Sequence, residues 1–391
     1  MYSEILSYEI QNFITAHIND DINQLILKGL PFEKSLHQSI LDQIRSKRKA
    51  KSKLPEWYGT SGLYYPPSLN LEQTSSEVTA KYKASLVSGE TLIDITGGFG
   101  VDSYYFSKQI NMVSHCEINQ DLLDITKHNA MALESCVKFY AGDGIQILKN
   151  LDQQFDWIYL DPSRRSDRKQ KVFLLADCNP NAKTFKGLFL KYAKQVMIKT
   201  SPLLDLKKTL EDLKYVRAIH IVAIHNEVKE LLWILERDYH DSVDVNCFNL
   251  SKTKRQIFQF QFEQLQKAHP LTAQPLSFLY EPNASILKSG AFNLLTDTLK
   301  VFKLHEHSHL YTSKSLIEFP GRRFKIENII PFNKKKFSKE GIKKANITTR
   351  NFPMTVHDIR KKLNIKDGGA IYLFFTTLED GKKSIIVCSK I

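Results

Sequence analysis

Residues 91–102 decide the fold of this chain, and they read Thr91-Leu92-Ile93-Asp94-Ile95-Thr96-Gly97-Gly98-Phe99-Gly100-Val101-Asp102. The pattern predicts a short buried strand that ends in an acid, then a glycine turn, then the start of a helix. Glycines let the backbone adopt positive φ and approach a ligand closely, and the start of a helix offers free N–H groups. The stretch therefore predicts a nucleotide-like ligand at the end of this strand.

From residue 91 to about residue 262, apolar runs that favour strands alternate with helical patterns. Strands are expected over residues 91–95, 112–117, 137–140, 155–160, 195–199 and 217–224, and near 243–250 and 256–262. Helices are expected between the early strands, at residues 102–108 and 120–133. Such alternation is typical of an α/β protein with a parallel sheet covered by helices on both faces. Ligands bind such sheets beyond the carboxyl ends of the strands, where the strand order reverses.

Acidic residues follow the first four of these strands. Asp94 ends the first strand, and Glu117 ends the second, 20 residues after Gly97. An acid in the position of Glu117 is well placed to accept hydrogen bonds from both hydroxyls of a ribose. Asp143 lies between two glycines after the third strand and is placed to accept from an adenine amino group. Asp161 ends the fourth strand, so four carboxylates are expected at one edge of the sheet.

Two kinds of nucleotide site compete for the first part of this pattern. Dinucleotide-binding enzymes also use a glycine turn followed by an acid about 20 residues later. Their Gly-x-Gly-x-x-Gly motif needs glycines at positions 98, 100 and 103, and position 103 is Ser103. This mismatch is small. The Asp143 turn and the sequence Asp161-Pro162-Ser163-Arg164 weigh more heavily against a dinucleotide site.

Length, charge and cysteine usage bound the remaining possibilities. At 391 residues the chain is too long for one ordinary core, so two or three domains are expected. The formal net charge of +13 favours a polyanionic partner, such as nucleic acid or a membrane surface. Five scattered cysteines, none in a Cys-x-x-Cys pair, fit a reducing compartment and argue against a zinc ribbon.

Targeting signals are not expected. Residues 1–9 carry two glutamates and no basic residue, which is unlike a signal peptide. No apolar run approaches the roughly 20 residues that a membrane span needs. We therefore expect a cytoplasmic protein with no membrane partner. His305, His307 and His309 would share one face of a strand, but no carboxylate or cysteine completes a familiar metal spacing, so no metal is expected.

Basic residues gather in two stretches outside the sheet. Helical spacing predicts helices over residues 1–54, and the last of them carries six lysines and arginines between residues 45 and 53. This run is either a solvated helix face or a phosphate-contacting helix. Beyond prolines at 270, 275 and 282, one helix is expected over residues 284–299 and a terminal hairpin over 370–376 and 384–388. Between residues 321 and 366, 14 lysines and arginines stand against three acids, so most of the chain's net positive charge lies in this segment.

The acids and the glycine turn together resemble the motif series of class I S-adenosylmethionine-dependent methyltransferases. Thr96 stands where a glycine is usual, and the form Thr-x-Gly-x-Gly-Val-Asp resembles that of some rRNA methyltransferases. Over essentially its full length, the chain is similar to a family of bacterial methyltransferases with a ferredoxin-like insert and a C-terminal THUMP-like domain. The motifs that carry this similarity are Glu72-Gln73, Ser75-Ser76-Glu77, residues 94–102, Asp161-Pro162-Ser163-Arg164-Arg165, Glu281-Pro282-Asn283-Ala284, Ile347-Thr348-Thr349-Arg350-Asn351-Phe352-Pro353 and Lys366-Asp367-Gly368-Gly369.

This resemblance implies a fold and a domain order. It implies a Rossmann-like class I methyltransferase sheet, mostly parallel with its last strand antiparallel, an N-terminal helical segment and a C-terminal α+β THUMP-like module. The expected domains are a helical segment over residues 1–80, the methyltransferase domain over 81–266, a ferredoxin-like subdomain over 267–320 and a basic THUMP-like domain over 321–391.

The resemblance also implies an activity, which is methyl transfer from S-adenosylmethionine to a base in tRNA or rRNA, because THUMP domains are associated with RNA binding. The residues expected to bind the cofactor are Asp94, Thr96, Gly97, Gly98, Gly100, Asp102, Glu117 and Asp143. Those expected at the reacting base are Asp161, Pro162 and Ser163, and those expected to contact RNA are Arg164, Arg165, Arg322, Arg323, Lys343, Lys344, Arg350 and Lys361. A non-catalytic RNA-binding protein with this fold, and a methyltransferase for another substrate, stay open as alternatives.

The sequence after Asp161 departs from two known patterns. Amino-methyltransferases carry Asn or Asp, then two prolines and an aromatic ring, whereas the third and fourth positions here are Ser163 and Arg164. This departure argues against adenine N6 as the target. The sequence also resembles the Asp-Pro-Pro-Arg of uracil-C5 enzymes, which need a cysteine nucleophile near the target. Cys178 is the nearest cysteine in sequence, and we interpret it as an incidental thiol. The segment Lys199-Thr200-Ser201-Pro202 ends the fifth strand and is placed to line the substrate side of the site.

Overall fold

The computed structural model of the chain describes residues 2–164, 175–251 and 254–391. These residues form two compact units. The first unit comprises Met1–Val216 and Trp233–Tyr239, and the second comprises Arg217–Leu232 and His240–Ile391. Among the described residues, no helix combines the length and the apolar character that crossing a bilayer requires.

The first unit begins with the expected helical segment. Aspartate and serine side chains start two of its helices: Asp21 accepts from the backbone N of Asn23 at 2.8 Å, and Ser76 accepts from that of Thr79 at 3.2 Å. The helices are α1 (Tyr2–Ile5), α2 (Tyr8–Ala16), α3 (Ile22–Lys28), α4 (Lys34–Lys53), α5 (Pro55–Gly59), α6 (Ser68–Gln73) and α7 (Glu77–Ala84).

The basic run at the end of α4 hydrogen bonds within this helical segment. Arg48 donates to two backbone carbonyls in the turn before α3, at 2.6 and 2.7 Å. Lys53 donates to two carbonyls of α6, at 2.9 and 2.6 Å. Lys49 pairs with Glu72, also on α6. These cations therefore stabilise the packing of α4 on its neighbours. The sequence analysis predicted a solvated helix face or a phosphate-contacting helix, and did not predict this structural role.

A parallel sheet follows, as predicted. The strands of this part of the chain are β1 (Thr91–Asp94), β2 (Met112–Glu117), β3 (Lys138–Ala141), β4 (Phe155–Leu160), the short β5 (Ser163–Arg164) and β6 (Cys178–Asn179), and β7 (Ala193–Thr200). Five of them lie in the order β7-β4-β1-β2-β3, and every neighbouring pair is parallel. β5 and β6 form a separate antiparallel ribbon. The strand order reverses between β1 and β4, so their carboxyl ends mark the place where ligands bind such sheets.

Helices connect these strands and begin at the strand-end loops. Asn119 starts α9 by accepting from the backbone N of Leu122 at 3.0 Å. The predicted strands and helices of this region agree with the observed ones to within two residues at each end. The helices are α8 (Val101–Phe106), α9 (Gln120–Ala132), α10 (Gly144–Leu151), α11 (Ala182–Tyr192) and α12 (Leu206–Leu213).

The chain continues with β8 (Val216–Ile224), β9 (Glu227–Glu236), β10 (Asp244–Leu250), β11 (Arg255–Gln261) and α13 (Gln264–Lys267). β8 and β10 are parallel and β10 and β11 antiparallel, which confirms the prediction of a mostly parallel sheet with an antiparallel last strand. The sequence analysis missed β9. Its run from Leu231 to Leu235 is buried on both faces, so it lacks the alternation that reveals a half-buried strand.

The second unit also holds a seven-stranded sheet, in the order β13-β14-β12-β15-β18-β17-β16. Its strands are β12 (Phe278–Pro282), β13 (Phe302–Lys303), β14 (Tyr311–Ser313), β15 (Gly321–Pro331), β16 (Lys344–Arg350), β17 (Lys366–Thr377) and β18 (Lys383–Lys390). β16 and β17 are parallel, whereas the other neighbouring strands of this sheet are antiparallel. The predicted terminal hairpin is confirmed, since Thr377 pairs with Lys383 across its turn.

Four helices accompany this sheet among the described residues: α14 (Ala284–Ser289), α15 (Leu294–Leu299), α16 (Lys334–Ser338) and α17 (Val356–Leu363). The prediction of one helix over residues 284–299 was wrong. Gly290 adopts a left-handed conformation with φ of +76° and ends α14. Leu373, Phe375 and Ile385 lie in the apolar core between the sheet and α17.

Candidate active site

The loops after β1 and β4 are connected at the point where the strand order reverses. Asp94 is buried, and its Oδ1 accepts from the backbone N of Thr96 at 3.0 Å. The Thr96 hydroxyl accepts in turn from the backbone N of Asp161 at 2.7 Å. Thr96, the residue that departs from the usual glycine of this motif, thus joins the two strand ends through a hydroxyl that glycine lacks.

The glycine turn is packed on one side and open on the other. A Cβ on Gly97 would lie 2.2 Å from the ring of His115, which packs directly against it. Gly100 has φ of +76°, and a Cβ there would lie 2.4 Å from a methyl group of Thr126. On Gly98, by contrast, a Cβ would meet no atom nearer than 3.8 Å. The turn therefore requires small residues on its packed side and leaves space on the side of Gly98.

Glu117 contacts Gly98 at this open side, Asp143 lies just beyond the end of the third strand, and both are held by backbone N–H groups. Glu117 accepts from the backbone N of Gly98 at 2.8 Å through Oε2 and from that of Asn119 at 2.8 Å through Oε1. Asp143 accepts through Oδ1 from the first free N–H groups of α10, at 2.9 and 3.0 Å. Each carboxylate oxygen has two lone pairs, so both groups are oriented and keep capacity for a further donor.

A buried polar chain runs below the turn. The Oγ of Ser103 lies 2.7 Å from Oδ2 of Asp94 and 2.9 Å from Nδ1 of His115. Burial raises the pKa of Asp94 to about 7 and lowers the pKa of His115 to about 3. Ser103, which broke the dinucleotide motif in the sequence, therefore connects an acid that takes up a proton readily to an imidazole that stays neutral.

Asp102 lies in a buried ion pair next to this chain. Its Oδ1 lies 3.2 Å from Nζ of Lys83, whose side chain is fully buried. Its Oδ2 accepts from the hydroxyls of Ser75 and Tyr159, at 2.8 and 2.7 Å. Burial alone would raise the pKa of Asp102, but the positive charges of Lys83 and Lys199 hold it below its usual range. Sequence reasoning missed Lys83, because a lysine in a helix of mixed charge gives no sign that it points inward.

The residues expected at the reacting base lie at the surface of the strand ends. Asp161 and Pro162 are partly exposed and Ser163 is exposed. Oδ2 of Asp161 forms an ion pair with Nζ of Lys199, at the end of the neighbouring strand β7. Thr96 and Lys199 thus hold the backbone and the side chain of Asp161, respectively.

The ribbon of β5 and β6 follows directly after Asp161. Its register places Ser163 opposite Asn179 and Arg164 opposite Cys178. Cys178 lies 17 residues from Asp161 in sequence. The register of the ribbon therefore brings Cys178 next to the loop that carries Asp161. Arg165, expected to contact RNA, lies outside the described residues.

Three arginines expected to contact RNA are paired with acids of the second unit. Arg322 and Arg350 donate to the two carboxylate oxygens of Glu281, at 2.6 and 2.9 Å. Glu281 lies on β12 and is 3% exposed, so these arginines neutralise a buried carboxylate. Arg323 donates to Glu318 at 2.7 Å.

The lysines of the same segment face solvent. Of those expected to contact RNA, Lys343 lies just before β16, Lys344 is the first residue of β16 and Lys361 lies on α17. Three more lysines lie on α16. Among the residues that the structure describes, none of the six forms an ion pair. This exposed lysine group comprises Lys334, Lys335, Lys336, Lys343, Lys344 and Lys361.

No group of histidine, cysteine, aspartate and glutamate that could hold a metal ion occurs within residues 2–164, 175–251 and 254–391. The histidines that alternate in the sequence have other contacts. Nδ1 of His305 accepts from the backbone N of His307 at 3.0 Å. His309 stacks on Phe292 with ring centroids 3.7 Å apart, and burial lowers the pKa of His309 to about 4.

The parallel sheet and its strand-end acids define a class I methyltransferase fold, and the comparisons with known proteins agree. A crystal structure from Porphyromonas gingivalis W83, described as a "putative methyltransferase", is 32% identical and matches 99% of this chain and 98% of its own, with a TM-score of 0.89. Residues 278–320 match a family described as a ferredoxin-like domain, and residues 321–390 match one described as THUMP domain-like. The chain belongs to the bacterial methyltransferase family that carries these two C-terminal domains.

Other matches are more distant. A structure from Listeria monocytogenes, described as a "putative class I S-adenosylmethionine-dependent methyltransferase", is 11% identical and covers 64% of this chain and 93% of its own, with a TM-score of 0.40. A "putative RNA methyltransferase" from Pyrococcus horikoshii is 15% identical and covers 48% and 98%, with a TM-score of 0.33. No curated protein matches the chain.

Proposed function

We propose that the chain is an S-adenosylmethionine-dependent methyltransferase that modifies a base in tRNA or rRNA. The observation that carries this proposal is the convergence of oriented carboxylates on the reversal point of the parallel sheet. Membership of a methyltransferase family with a THUMP-like domain supports the reaction class and the RNA substrate. The division into domains at residues 80, 266 and 320 is part of the proposal.

The residues around the glycine turn suit S-adenosylmethionine. The open side of Gly98, where no atom lies within 3.8 Å of a Cβ position, leaves room for the ligand. Glu117 is oriented to accept from the ribose hydroxyls, and Asp143 to accept from the adenine amino group. Of the other residues expected to bind the cofactor, Asp94, Thr96, Gly97 and Gly100 shape the turn, and Asp102 lies in the buried ion pair with Lys83. The cofactor supplies a methyl group on a sulfonium sulfur, which displacement can transfer without a metal.

Methyl transfer requires an aligned acceptor atom. The lone pair of the acceptor forms the new bond to the methyl carbon, and the electron pair of the breaking sulfur–carbon bond stays on sulfur. The protein contributes positioning and charge. The carboxylate of Asp161, or the carbonyl of Pro162, accepts from an N–H of the base, and Ser163 offers a hydroxyl beside them. A negative Asp161 also stabilises the positive charge that the acceptor gains.

The basic C-terminal segment is proposed to bind the RNA. Its exposed lysines present charges to phosphates, which position an RNA chain without reading its sequence. Arg164 and Arg165 follow the proposed catalytic residues directly in the chain and are proposed to contact phosphates beside the target base. Arg322 and Arg350 would contact RNA only in addition to their ion pairs with Glu281.

Calorimetric titration with S-adenosylmethionine tests the cofactor part of the proposal. We expect the wild type to bind, and Glu117→Ala to bind about 10- to 100-fold more weakly, because hydrogen bonds to a carboxylate contribute about 1.5–3 kcal/mol. Asp121→Ala is the matched control, since Asp121 is an exposed acid in the first turn of α9. No binding by the wild type, or equal binding by Glu117→Ala, would contradict the assignment.

A further inference from the structure

Lys199 is the cation nearest to the proposed catalytic group. It lies one residue before the end of β7, which is parallel to β4 with Leu160 opposite Ile198. Lys199 and Asp161 each follow directly after these paired residues, so the register brings them side by side. Nζ of Lys199 contacts Oδ2 of Asp161. The Lys199 side chain is 13% exposed and that of Asp161 36% exposed, so the pair lies at the rim of the site.

Stability does not account for a lysine in this place. Ion pairs that are open to solvent on one side, as this one is at Asp161, contribute only about 0–1 kcal/mol to folding, and holding the 13% exposed Lys199 out of water costs desolvation. The buried Asp102 already has its own cation in Lys83, at 3.2 Å. Lys199 also helps to lower the pKa of Asp102, but its Nζ directly contacts Asp161.

The two carboxylate oxygens of Asp161 differ in their contacts. Its backbone N is held by the Thr96 hydroxyl at 2.7 Å, and its Oδ2 is held by Lys199. Oδ1 has no hydrogen-bond partner within the described parts of the chain. With the backbone and one oxygen fixed, the other oxygen has a defined direction, which is what alignment of an acceptor base requires.

We propose that Lys199 is a positioning residue for methyl transfer: it holds Asp161 by Oδ2 so that Oδ1 accepts from an N–H of the target base. This inference rests on the proposed function. Lys199 touches neither cofactor nor base in this scheme and acts through Asp161. Its loss should therefore slow the transfer step and leave cofactor binding intact.

The test is methyl transfer to RNA by the full chain, with Lys199→Gln and Lys199→Arg compared with the wild type. We expect Lys199→Gln to lower kcat about 10- to 100-fold, the equivalent of one charge-assisted hydrogen bond. Its calorimetric affinity for S-adenosylmethionine should stay within about twofold, which also shows that it folds. Lys199→Arg keeps a cation that reaches Oδ2, so it should restore most of the lost rate.

Three results would overturn the inference: a Lys199→Gln rate within about twofold of wild type, an equal loss in Lys199→Arg, or a parallel loss of cofactor affinity. Failure of the proposed function is distinguishable from these, because then the wild type itself transfers no methyl group. Lys194→Gln is the matched control. Lys194 lies near the opposite end of β7, pairs with Asp156 at 3.0 Å and is 76% exposed, so its removal should leave kcat unchanged.

Discussion

The two units of the chain use their charged side chains differently. In the first unit, some cations serve the fold: Lys83 is fully buried on Asp102, and the exposed Arg48 donates to two backbone carbonyls. In the second unit, the exposed lysine group faces solvent. Two arginines of the second unit differ from these lysines, because Arg322 and Arg350 form ion pairs with the buried Glu281. A basic stretch in the sequence can therefore have at least two roles. Some of its cations bind groups of the fold, whereas others face solvent.

This difference predicts different experimental signatures. Removing an inward cation should change the free energy of unfolding, because a buried partner is left without its charge. Removing an exposed lysine should change salt-dependent binding to a polyanion and leave folding unchanged.

The largest effect is expected from Lys83→Ala. Loss of this cation leaves the buried carboxylate of Asp102 without its counter-charge, which costs about 3–5 kcal/mol in comparable buried pairs. Lys81→Ala is the control on the same helix, because its pair with Glu77 is 2.7 Å long but 54% exposed on the lysine side and should contribute less than about 1 kcal/mol. Urea unfolding measures both. Equal destabilisation by the two variants would remove the distinction between inward and outward cations.

The next effect is on RNA binding. The triple variant Lys343→Ala, Lys344→Ala, Lys361→Ala should bind total tRNA about 10- to 100-fold more weakly at low salt. The slope of log K against log salt should fall by about 2–3, since each lost phosphate contact removes about 0.7–0.9. Filter binding across a salt series measures both quantities. Wild-type affinity in the triple variant would place the RNA surface elsewhere in the chain.

Arg48→Ala should show the opposite behaviour. We expect a loss of about 1–2 kcal/mol in the free energy of unfolding, because one partly buried and one exposed carbonyl lose a charged donor, together with unchanged tRNA affinity. Lys51→Ala, on an exposed position of the same helix, should change stability by less than about 0.5 kcal/mol. A drop in RNA affinity without a drop in stability would support the phosphate-contact interpretation of α4 instead.

The last effect concerns pH. The folded chain keeps the Asp94 proton up to about pH 7, whereas an unfolded aspartate releases it near 3.8, so this group makes stability fall as pH rises through that window. His115 acts oppositely: its folded pKa of about 3 lies below the usual 6.5, so its contribution rises with pH between these values. Below pH 6.5 the two trends oppose each other.

Asp94→Asn should therefore remove the trend that opposes His115. The free energy of unfolding of this variant should rise with pH between about 4 and 6.5 more steeply than that of the wild type, by up to about 1.4 kcal/mol per pH unit. Denaturant unfolding at several pH values measures the difference. Parallel curves for the two proteins would show that Asp94 is ionised throughout this range.

Much of the fold was predictable because its signals are local. The strands from residue 91 onward were located by short apolar runs between turns, and the antiparallel last strand agreed with the resemblance. β9 was missed because a strand buried on both faces has no alternation. The break at Gly290 was missed because one glycine within a helical pattern is compatible with either a continuing or an ending helix.

The candidate site was predictable only in part, for a related reason. Asp94, Glu117, Asp143 and Asp161 stand at strand ends, so their meeting follows from the parallel sheet. The positions of the side chains that hold these acids do not follow from the sheet. Lys83 precedes Asp102 by 19 residues and Lys199 follows Asp161 by 38, and which of many lysines points inward depends on packing that no local pattern records. Ser103 stands where a dinucleotide motif needs a glycine, and its role became clear only from its contacts with Asp94 and His115.

The central claim is methyl transfer to RNA at the strand ends. It is tested most directly by incubating the purified full chain with labelled S-adenosylmethionine and RNA from a strain that lacks the protein, followed by mass spectrometry of the nucleosides. We predict label in one type of modified nucleoside in tRNA or rRNA, and a loss of most of that label with Asp161→Asn. No label in RNA, while the cofactor still binds, or equal labelling by Asp161→Asn, would contradict the account.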